Sequence, residues 1–406
     1  MVKIPAFEVE QWMDRYENTP GVLNIAETCC SSISIDQLVR FDSAQQQDAR
    51  SVLDFSRPLT YGCIRGSDGL RQNIAATYRE NGNNAAKDSP PLSPEDIIVT
   101  QGAISANHLV FYSLVGPGDH IICVFPTYQQ LYSIPESLGA DVSLWKLKLE
   151  NGFVPDVAEL ETIIKSNTKM IVINNPNNPT GVTIPREVLE KIVDLARKND
   201  IIIFSDEVYR PLFHAIEPKD IPPSAISLGY PKVVVTGSMS KAWALAGIRV
   251  GWIASRDASM IEAFASARDY TTISVSQLDD QIARYALSER VRPQLLARNL
   301  TLARNNLQLL DKFLREHSTN CSWIKPTAGT TAFVQFKSQD GTPVDDEAFC
   351  KDVLDKAKVM FLPGTRCFGH GKANFNGFVR IGYANETVVL RQALEELDAY
   401  IKEHLN

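Results

Sequence analysis

Residues 170–206 read MIVINNPNNPTGVTIPREVLEKIVDLARKNDIIIFSD, and this stretch decides the fold class. Two runs that are almost entirely apolar, MIVIN (170–174) and IIIFSD (201–206), enclose REVLEKIVDLARKND (186–200), in which apolar residues recur at helical spacing. Apolar runs without alternation are typical of strands buried on both faces of a parallel sheet. A strand, a helix and a strand in this order predict an α/β protein.

Further runs of the same kind extend the pattern on both sides: DIIVT (96–100), HIICVF (120–125), VVVTG (233–237) and VGWIAS (250–255). Each run is bounded by Gly, Pro, Asn or Asp, as strands usually are. The sequence therefore predicts a mostly parallel central sheet with helices on both faces.

The pattern changes after about residue 275. A long helical stretch, with Pro293 as a break or first-turn residue, leads into a C-terminal part that mixes short strands and helices. The chain of 406 residues is also long enough for two domains. We expect a large α/β domain over residues 50–290 and a smaller α+β domain formed by residues 1–49 and 291–406.

Composition excludes several classes of partner. The formal net charge of −7 argues against nucleic acid, which requires a basic surface. The seven cysteines have no C-x-x-C spacing, so neither a disulfide framework nor a zinc site is expected. There is no signal-peptide pattern and no apolar run long enough to cross a membrane. We expect a cytoplasmic protein with no metal, membrane or nucleic-acid partner.

Chemically distinctive residues stand at or shortly after the ends of five predicted strands, namely Gly102, Tyr128, Asn178, Asp206 and Lys241. Taken singly, each has an ordinary reading, such as a turn, a core ring, a helix cap or a solvated lysine. The carboxyl ends of parallel strands, however, meet at one edge of a sheet, where ligands bind. Together these residues supply an anion-binding turn, an aromatic face, an oxygen donor, a carboxylate and an amine.

Six motifs in a fixed order carry a family resemblance. They are Y-x4-G-x3-L-R (Tyr61, Gly66, Leu70, Arg71), P-x-Y (ending at Tyr128), N-P-T-G (178–181), D-x-x-Y (Asp206, Tyr209), S-x-S-K-x7-R (Ser238, Ser240, Lys241, Arg249) and V-R-I around Arg380. From about residue 20 to its end, the chain resembles the class I and II aminotransferases, which are fold-type I pyridoxal-phosphate enzymes. The resemblance implies an aspartate aminotransferase-like fold and pyridoxal 5′-phosphate as cofactor.

The resemblance also implies catalytic roles. Lys241 would form a Schiff base with the cofactor and, once freed by an amino-acid substrate, would move the substrate's α-proton. Asp206 would keep the pyridine nitrogen protonated, because a positive ring is the better electron sink. Asn178 and Tyr209 would donate to the cofactor's phenolic oxygen, and Tyr128 would stack on its ring.

Binding roles follow in the same way. The cofactor phosphate would be held by Ser238, Arg249 and the backbone N–H groups around Ala103 and Ile104, where Gly102 makes the turn. Tyr61 would reach the cofactor of the neighbouring subunit, which implies a homodimer. Arg380 would clamp the α-carboxylate of the substrate with its planar guanidinium.

The type of reaction stays open, because this fold hosts several reactions with nearly the same cofactor residues. Transfer of the amino group of an L-amino acid to a 2-oxo acid is the first expectation. The segment LNIAETCCSS (23–32), however, lacks the usual G-x-P-D/E pattern and resembles capreomycidine synthase-like and arginine-oxidase-like members. The alternative is a β/γ-replacement cyclase or an oxidase acting on arginine or a hydroxylated derivative. Glu27 would then bind the cationic side chain, unless it is a helix cap or a surface acid.

Two other functional classes, a regulatory module and a dehydrogenase, have less support. A cofactor-sensing regulatory module would be supported by a DNA-binding extension or a basic surface, and we expect neither. A nucleotide-dependent dehydrogenase would need G-x-G-x-x-G spacing, which the glycines at 62–69 and 116–118 do not have.

Overall fold

The computed structural model describes residues 4–42, 48, 50, 52–79 and 90–405. Its strands are, in chain order, β1 (Leu23–Asn24), β2 (Ile97–Thr100), β3 (His120–Phe125), β4 (Asp141–Lys146), β5 (Thr168–Asn174), β6 (Ile202–Asp206), β7 (Val233–Ser238), β8 (Gly251–Ser255), β9 (Cys321–Trp323), β10 (Thr331–Phe336), β11 (Val359–Met360), β12 (Leu362–Pro363) and β13 (Phe378–Gly382). Its α-helices are α1 (Glu8–Tyr16), α2 (Ile35–Leu38), α3 (Asp68–Thr77), α4 (Gly102–Leu114), α5 (Gln130–Ser137), α6 (Val157–Ile163), α7 (Arg186–Lys198), α8 (Ala258–Arg268), α9 (Gln277–Ala286), α10 (Arg292–Glu316), α11 (Asp346–Ala357), α12 (Gly364–Phe368) and α13 (Thr387–His404).

The central sheet has seven strands in the order β2-β8-β7-β6-β5-β3-β4. Strands β7, β6, β5, β3 and β4 are parallel, which confirms the mostly parallel sheet. Strand β8 runs antiparallel to both of its neighbours. A parallel return usually requires a crossover helix, and the connection from β7 to β8 contains no α-helix. The antiparallel direction of β8 is consistent with this connection.

Each strand in the middle of the sheet is covered on both faces. In β5, Ile171 and Ile173 belong to one apolar cluster, whereas Met170 and Val172 belong to the other. Helices α4 and α8 cover the second face, and α7 packs on the first. This two-sided burial explains why the strands are apolar throughout. Strand β4 was not predicted because it is an edge strand with mostly half-exposed residues.

A second sheet, antiparallel and in the order β12-β13-β10-β9, lies in the C-terminal part of the chain. Strand β1 pairs with β11, so the N-terminal segment contacts this part of the molecule. The long helical stretch after residue 275 is divided into α9 and α10, with Pro293 in the first turn of α10. The domain limits at residues 50 and 290 stay a prediction, and residue 49 lies outside the described residues. None of the helices in the described part of the chain is long and apolar enough to cross a membrane.

Candidate active site

A cavity of about 510 Å³ opens at the carboxyl ends of β5, β6 and β7. It is also bordered by the start of α4, by the N-terminal segment and by a side chain from β13. Most of the residues singled out in the sequence line it: Glu27, Ala103, Ile104, Tyr128, Asn178, Asp206, Tyr209, Ser238, Lys241, Arg249 and Arg380. Residues as far apart in the chain as Glu27 and Arg380 therefore meet in one cavity, with Gly102 directly beside its lining and Tyr61 outside it.

Asp206 is a buried carboxylate with two hydrogen-bond donors. Asn107 Nδ2 donates to its Oδ2 at 2.9 Å, and the backbone N–H of Val208 donates to its Oδ1 at 3.2 Å. Thr236 donates in turn to Asn107 Oδ1 at 2.7 Å, which fixes the amide orientation. Burial raises the pKa of Asp206 to about 6, although the Asn107 hydrogen bond opposes this shift. A cationic ligand group beside Asp206 would offset the cost of burying its charge.

Asn107 was not identified from the sequence. It lies within the otherwise largely apolar helix GAISANHLVFYSL and is almost completely buried. A buried amide in an apolar helix needs hydrogen-bond partners, and this is the one local signal that the sequence offered.

Lys241 directs its amine into the cavity. Nζ donates to Thr28 Oγ1 at 2.7 Å and to Cys29 Sγ at 3.5 Å. Burial opposes its ionisation, but Cys29, Tyr209 and Glu27 raise the pKa of Lys241 above its ordinary value. Burial raises the pKa of Cys29 to about 11, so its thiol is neutral near pH 7. The sequence motifs identified the lysine but not Thr28 or Cys29.

The start of α4 is suited to bind an anion. The side chain of its N-cap residue, Gln101, makes no capping hydrogen bond, which leaves backbone N–H groups of the first turn able to donate to a ligand. Arg249 lies next to this turn. Its Nη2 would be only 2.9 Å from a Cβ placed on Gly102. Ser238 lines the same cavity, and its Oγ accepts from the backbone N–H of Ser240 at 3.0 Å. These groups can together hold a phosphate.

Arg380 is almost fully buried, with 3% of its surface exposed. Nη1 donates to Asn178 Oδ1 at 3.2 Å, and Nη2 donates to the carbonyl of Ala26 at 2.8 Å. Within the described residues, its Nε has no hydrogen-bond partner. A buried guanidinium that faces a cavity without a carboxylate partner is suited to bind an anionic ligand.

Glu27 caps a turn of the N-terminal segment. Its Oε1 accepts from the backbone N–H groups of Thr28 at 2.6 Å and of Cys29 at 3.0 Å, and lies 4.0 Å from Lys241 Nζ. Although burial opposes ionisation, Lys241 and these donors hold the pKa of Glu27 below its ordinary value. Glu27 therefore caps a turn and not a helix, and binding of a cationic substrate stays a prediction.

Helix α1 borders the mouth of the cavity. Glu10 accepts a hydrogen bond from the Tyr128 hydroxyl at 3.0 Å, and the Phe7 ring lies 5.0 Å from the Tyr128 ring. Asp14 and Glu17 line the same side. The charged side chains that line the cavity on this side, Glu10, Asp14 and Glu17, are therefore all acidic.

The chain is similar to known proteins over most of its length. The family model described as aminotransferase class I and II matches residues 36–397. The crystal structure of a pyridoxal-phosphate-dependent aminotransferase from Streptococcus suis 89-1591 superimposes with a TM-score of 0.88, at 36% identity, over 100% of this chain and 99% of that one. Aspartate/prephenate aminotransferase from Thermus thermophilus is 32% identical over 82% of this chain and 81% of its own length. Capreomycidine synthase from Streptomyces vinaceus is 28% identical over 84% of this chain and 80% of its own length.

Proposed function

The chain belongs to the aminotransferase class I and II family and binds pyridoxal 5′-phosphate, and we propose that it transfers the amino group of an L-amino acid to a 2-oxo acid through Lys241. The observation that carries this proposal is the position of Lys241 Nζ in one cavity with Asp206, Arg249 and Arg380. An amine, a buried carboxylate and two guanidinium groups are the charged groups that this chemistry requires.

The residues of the cavity fit the cofactor. The uncapped start of α4, with Gly102, Ala103 and Ile104, would hold the phosphate together with Ser238 and Arg249. Asp206, whose pKa is raised by burial although Asn107 and Lys241 oppose the shift, would pair with the pyridine nitrogen.

The remaining residues would hold the ring. Asn178 uses its Oδ1 to accept from Arg380, so its Nδ2 stays available to donate to the phenolic oxygen together with Tyr209. Tyr128 would contact the ring face. When bound, the cofactor supplies an electron sink for the breaking bond.

The protein's own groups would move the proton. Lys241 would be the covalent attachment point of the cofactor, and its freed amine would remove the α-proton of the substrate and hold it for return. Arg380 would orient the substrate through its α-carboxylate, because a buried guanidinium binds a carboxylate by two parallel hydrogen bonds.

We further propose a homodimer in which Tyr61 completes the partner's cavity. Tyr61 is 78% exposed and does not line the cavity of its own chain. Large apolar side chains nearby in the sequence are also exposed, namely Phe55, Leu59 and Ile64. Exposed apolar groups in such number favour an interface between subunits. The seven free cysteines support the cytoplasm as its location.

The test is a half-reaction with the cofactor-loaded protein. Addition of a substrate L-amino acid should change the cofactor absorbance and release one equivalent of 2-oxo acid, and addition of a 2-oxo acid should restore the spectrum. Release of ammonia with no stable spectral change would contradict transamination.

The second candidate is a cyclase, another β/γ-replacement enzyme, or an oxidase acting on a cationic amino acid. It is supported by the acidic residues Glu10, Asp14 and Glu17 at the cavity mouth and by the similarity to capreomycidine synthase. Incubation with arginine and with hydroxyarginine tests this candidate. A cyclised product, or consumption of dioxygen, would favour it, whereas a 2-oxo acid formed in step with the amino acceptor would favour transamination.

A further inference from the structure

The side chain of Thr28 is the nearest hydrogen-bond partner of the Lys241 amine. Thr28 Oγ1 accepts from Lys241 Nζ at 2.7 Å, across 213 positions of the chain. We propose that Thr28 is a positioning residue, which holds the amine of Lys241 toward the reacting atoms whenever that nitrogen is not bound to the cofactor. This inference rests on the proposed role of Lys241 as the attachment point.

Thr28 is itself held firmly on both sides. It is 6% exposed, and its backbone N–H donates to Glu27 Oε1 at 2.6 Å. Its carbonyl accepts from Thr330 Oγ1 at 2.6 Å, which connects the turn to the C-terminal part of the chain. Cys30 N–H also donates to the backbone carbonyl of Lys241 at 3.4 Å. The Thr28 hydroxyl is therefore preorganised, and little conformational entropy is lost when it accepts the hydrogen bond from Lys241.

The other groups that face Lys241 Nζ are weaker partners. Cys29 Sγ lies 3.5 Å away, and a thiol is a poor acceptor. Glu27 Oε1 is 4.0 Å away, too far for a hydrogen bond, and already accepts two backbone N–H groups.

Three further residues act on Lys241 only through charge. Tyr209, Arg380 and Asp206 interact electrostatically with the lysine. Burial raises the pKa of the Tyr209 phenol, and the nearby Thr28 hydroxyl opposes that shift.

The consequence concerns the free lysine side chain. It has four rotatable bonds and adopts many rotamers unless its amine is held. The amine would be free before the cofactor is attached and again whenever a substrate amine has released it. A fixed acceptor in the cavity would keep the amine within reach in both situations.

The test compares Thr28→Val, which is nearly isosteric but has no hydroxyl, with Thr28→Ser, which keeps the hydroxyl. Stopped-flow absorbance measures covalent attachment of pyridoxal 5′-phosphate to the full-length, cofactor-free proteins. We expect Thr28→Val to slow attachment and to lower kcat by about tenfold, the usual effect of a hydrogen bond to a charged group. Thr28→Ser should stay within about threefold of the unsubstituted protein.

Two controls separate positioning from a merely structural role. Pyridoxine 5′-phosphate has no aldehyde, so its binding to each protein reports the cavity without the covalent step. Its affinity should be equal in Thr28→Val and Thr28→Ser. Thr330→Val removes the hydrogen bond to the Thr28 carbonyl but keeps the Thr28 hydroxyl, and should slow attachment less than Thr28→Val.

Several outcomes would overturn the proposal. They are attachment at the unsubstituted rate in Thr28→Val, equal slowing in both Thr28 variants, and loss of pyridoxine phosphate binding that matches the loss of attachment rate. If Thr28→Val does not fold, the attachment rates of Thr28→Ser and Thr330→Val still test the proposal, because both variants keep the Thr28 hydroxyl. Attachment slowed more than tenfold in Thr330→Val, together with slowed attachment in Thr28→Ser, would contradict it. Lys241→Ala distinguishes failure of the proposed function from failure of the Thr28 proposal. Covalent attachment in this variant would refute the proposed role of Lys241, whereas loss of attachment would support that role, and the Thr28 variants would then test Thr28 alone.

Discussion

Asn107 and Asp206 are buried together, and Asn107 Nδ2 donates to Asp206 Oδ2 at 2.9 Å. The amide orients the carboxylate but carries no charge that would neutralise it. Since burial raises the pKa of Asp206 to about 6, the carboxylate is charged at neutral pH only at a cost to the cofactor-free fold.

Asp206→Asn should therefore stabilise the cofactor-free protein in a pH-dependent way. The folded-state pKa of about 6 lies above the ordinary value of 3.8, so the folded state binds this proton more tightly and loses stability as the pH rises from about 4 to 6. At pH 8 we expect the variant to have a free energy of unfolding higher by about 1–3 kcal/mol, and the difference should vanish near pH 4. Urea unfolding of both cofactor-free proteins at the two pH values measures this.

Asp206→Asn should also lower turnover at least about a hundredfold, because the pyridine nitrogen of the cofactor would lose its anionic partner. A variant with normal turnover, or with equal stability difference at pH 4 and pH 8, would contradict the assignment of Asp206.

Lys241→Ala should abolish both the covalent cofactor absorbance and turnover, since alanine offers no amine for attachment or proton transfer. Absorbance spectra after addition of pyridoxal 5′-phosphate, and reduction with borohydride followed by mass spectrometry, measure attachment. A variant that retains a covalent adduct would show that another lysine is the attachment point.

Gly102→Ala should weaken cofactor binding about tenfold. The backbone of Gly102 has φ 73°, which is unfavourable for alanine, and the new Cβ would lie 2.9 Å from Arg249 Nη2 and displace the guanidinium. Gly116→Ala is the matched control, because no atom lies within 4 Å of a Cβ there. Equal cofactor affinities in the two variants, measured by fluorescence titration, would argue against a phosphate site at the start of α4.

Arg380→Lys should raise the KM for the amino acid by about a hundredfold and change cofactor affinity by less than about threefold. An ammonium cannot replace both the fixed hydrogen bonds to Asn178 and Ala26 and the donor that remains at Nε. Steady-state kinetics and cofactor titration on the same preparation separate the two effects. Comparable losses of substrate and cofactor affinity would point to a purely structural arginine.

Arg366→Ala should loosen helix α1 over the cavity mouth. Arg366 Nε binds Glu8 Oε2 at 2.7 Å, Nη1 binds Glu347 Oε1 at 3.0 Å, and its guanidinium lies over the Trp12 ring. These contacts are partly exposed, so global stability should fall by only about 1 kcal/mol, while proteolysis near residues 4–20 should accelerate. Lys351→Ala removes another ion pair of Glu347 without touching α1, and its proteolysis should not change. The same cleavage rate in both variants would refute the contribution of Arg366.

Most of the fold followed from local patterns. The strands around residues 170–206 and the division near Pro293 were predicted because two-sided burial demands apolar runs and proline marks a helix start. Two features were not predicted: the direction of β8, which depends on its partners, and the edge strand β4, which has no apolar run.

The amino-acid sequence by itself determined which chemical groups are available and that strand ends bring them to one edge of a sheet, because the order of motifs and the burial pattern are encoded locally. Only the tertiary structure decided the partners of those groups. Thr28 beside Lys241 and Asn107 beside Asp206 join residues 213 and 99 positions apart, and such contacts depend on how separate elements pack. It also decided that Glu27 caps a turn, since a carboxylate takes the donors that the fold places within its reach.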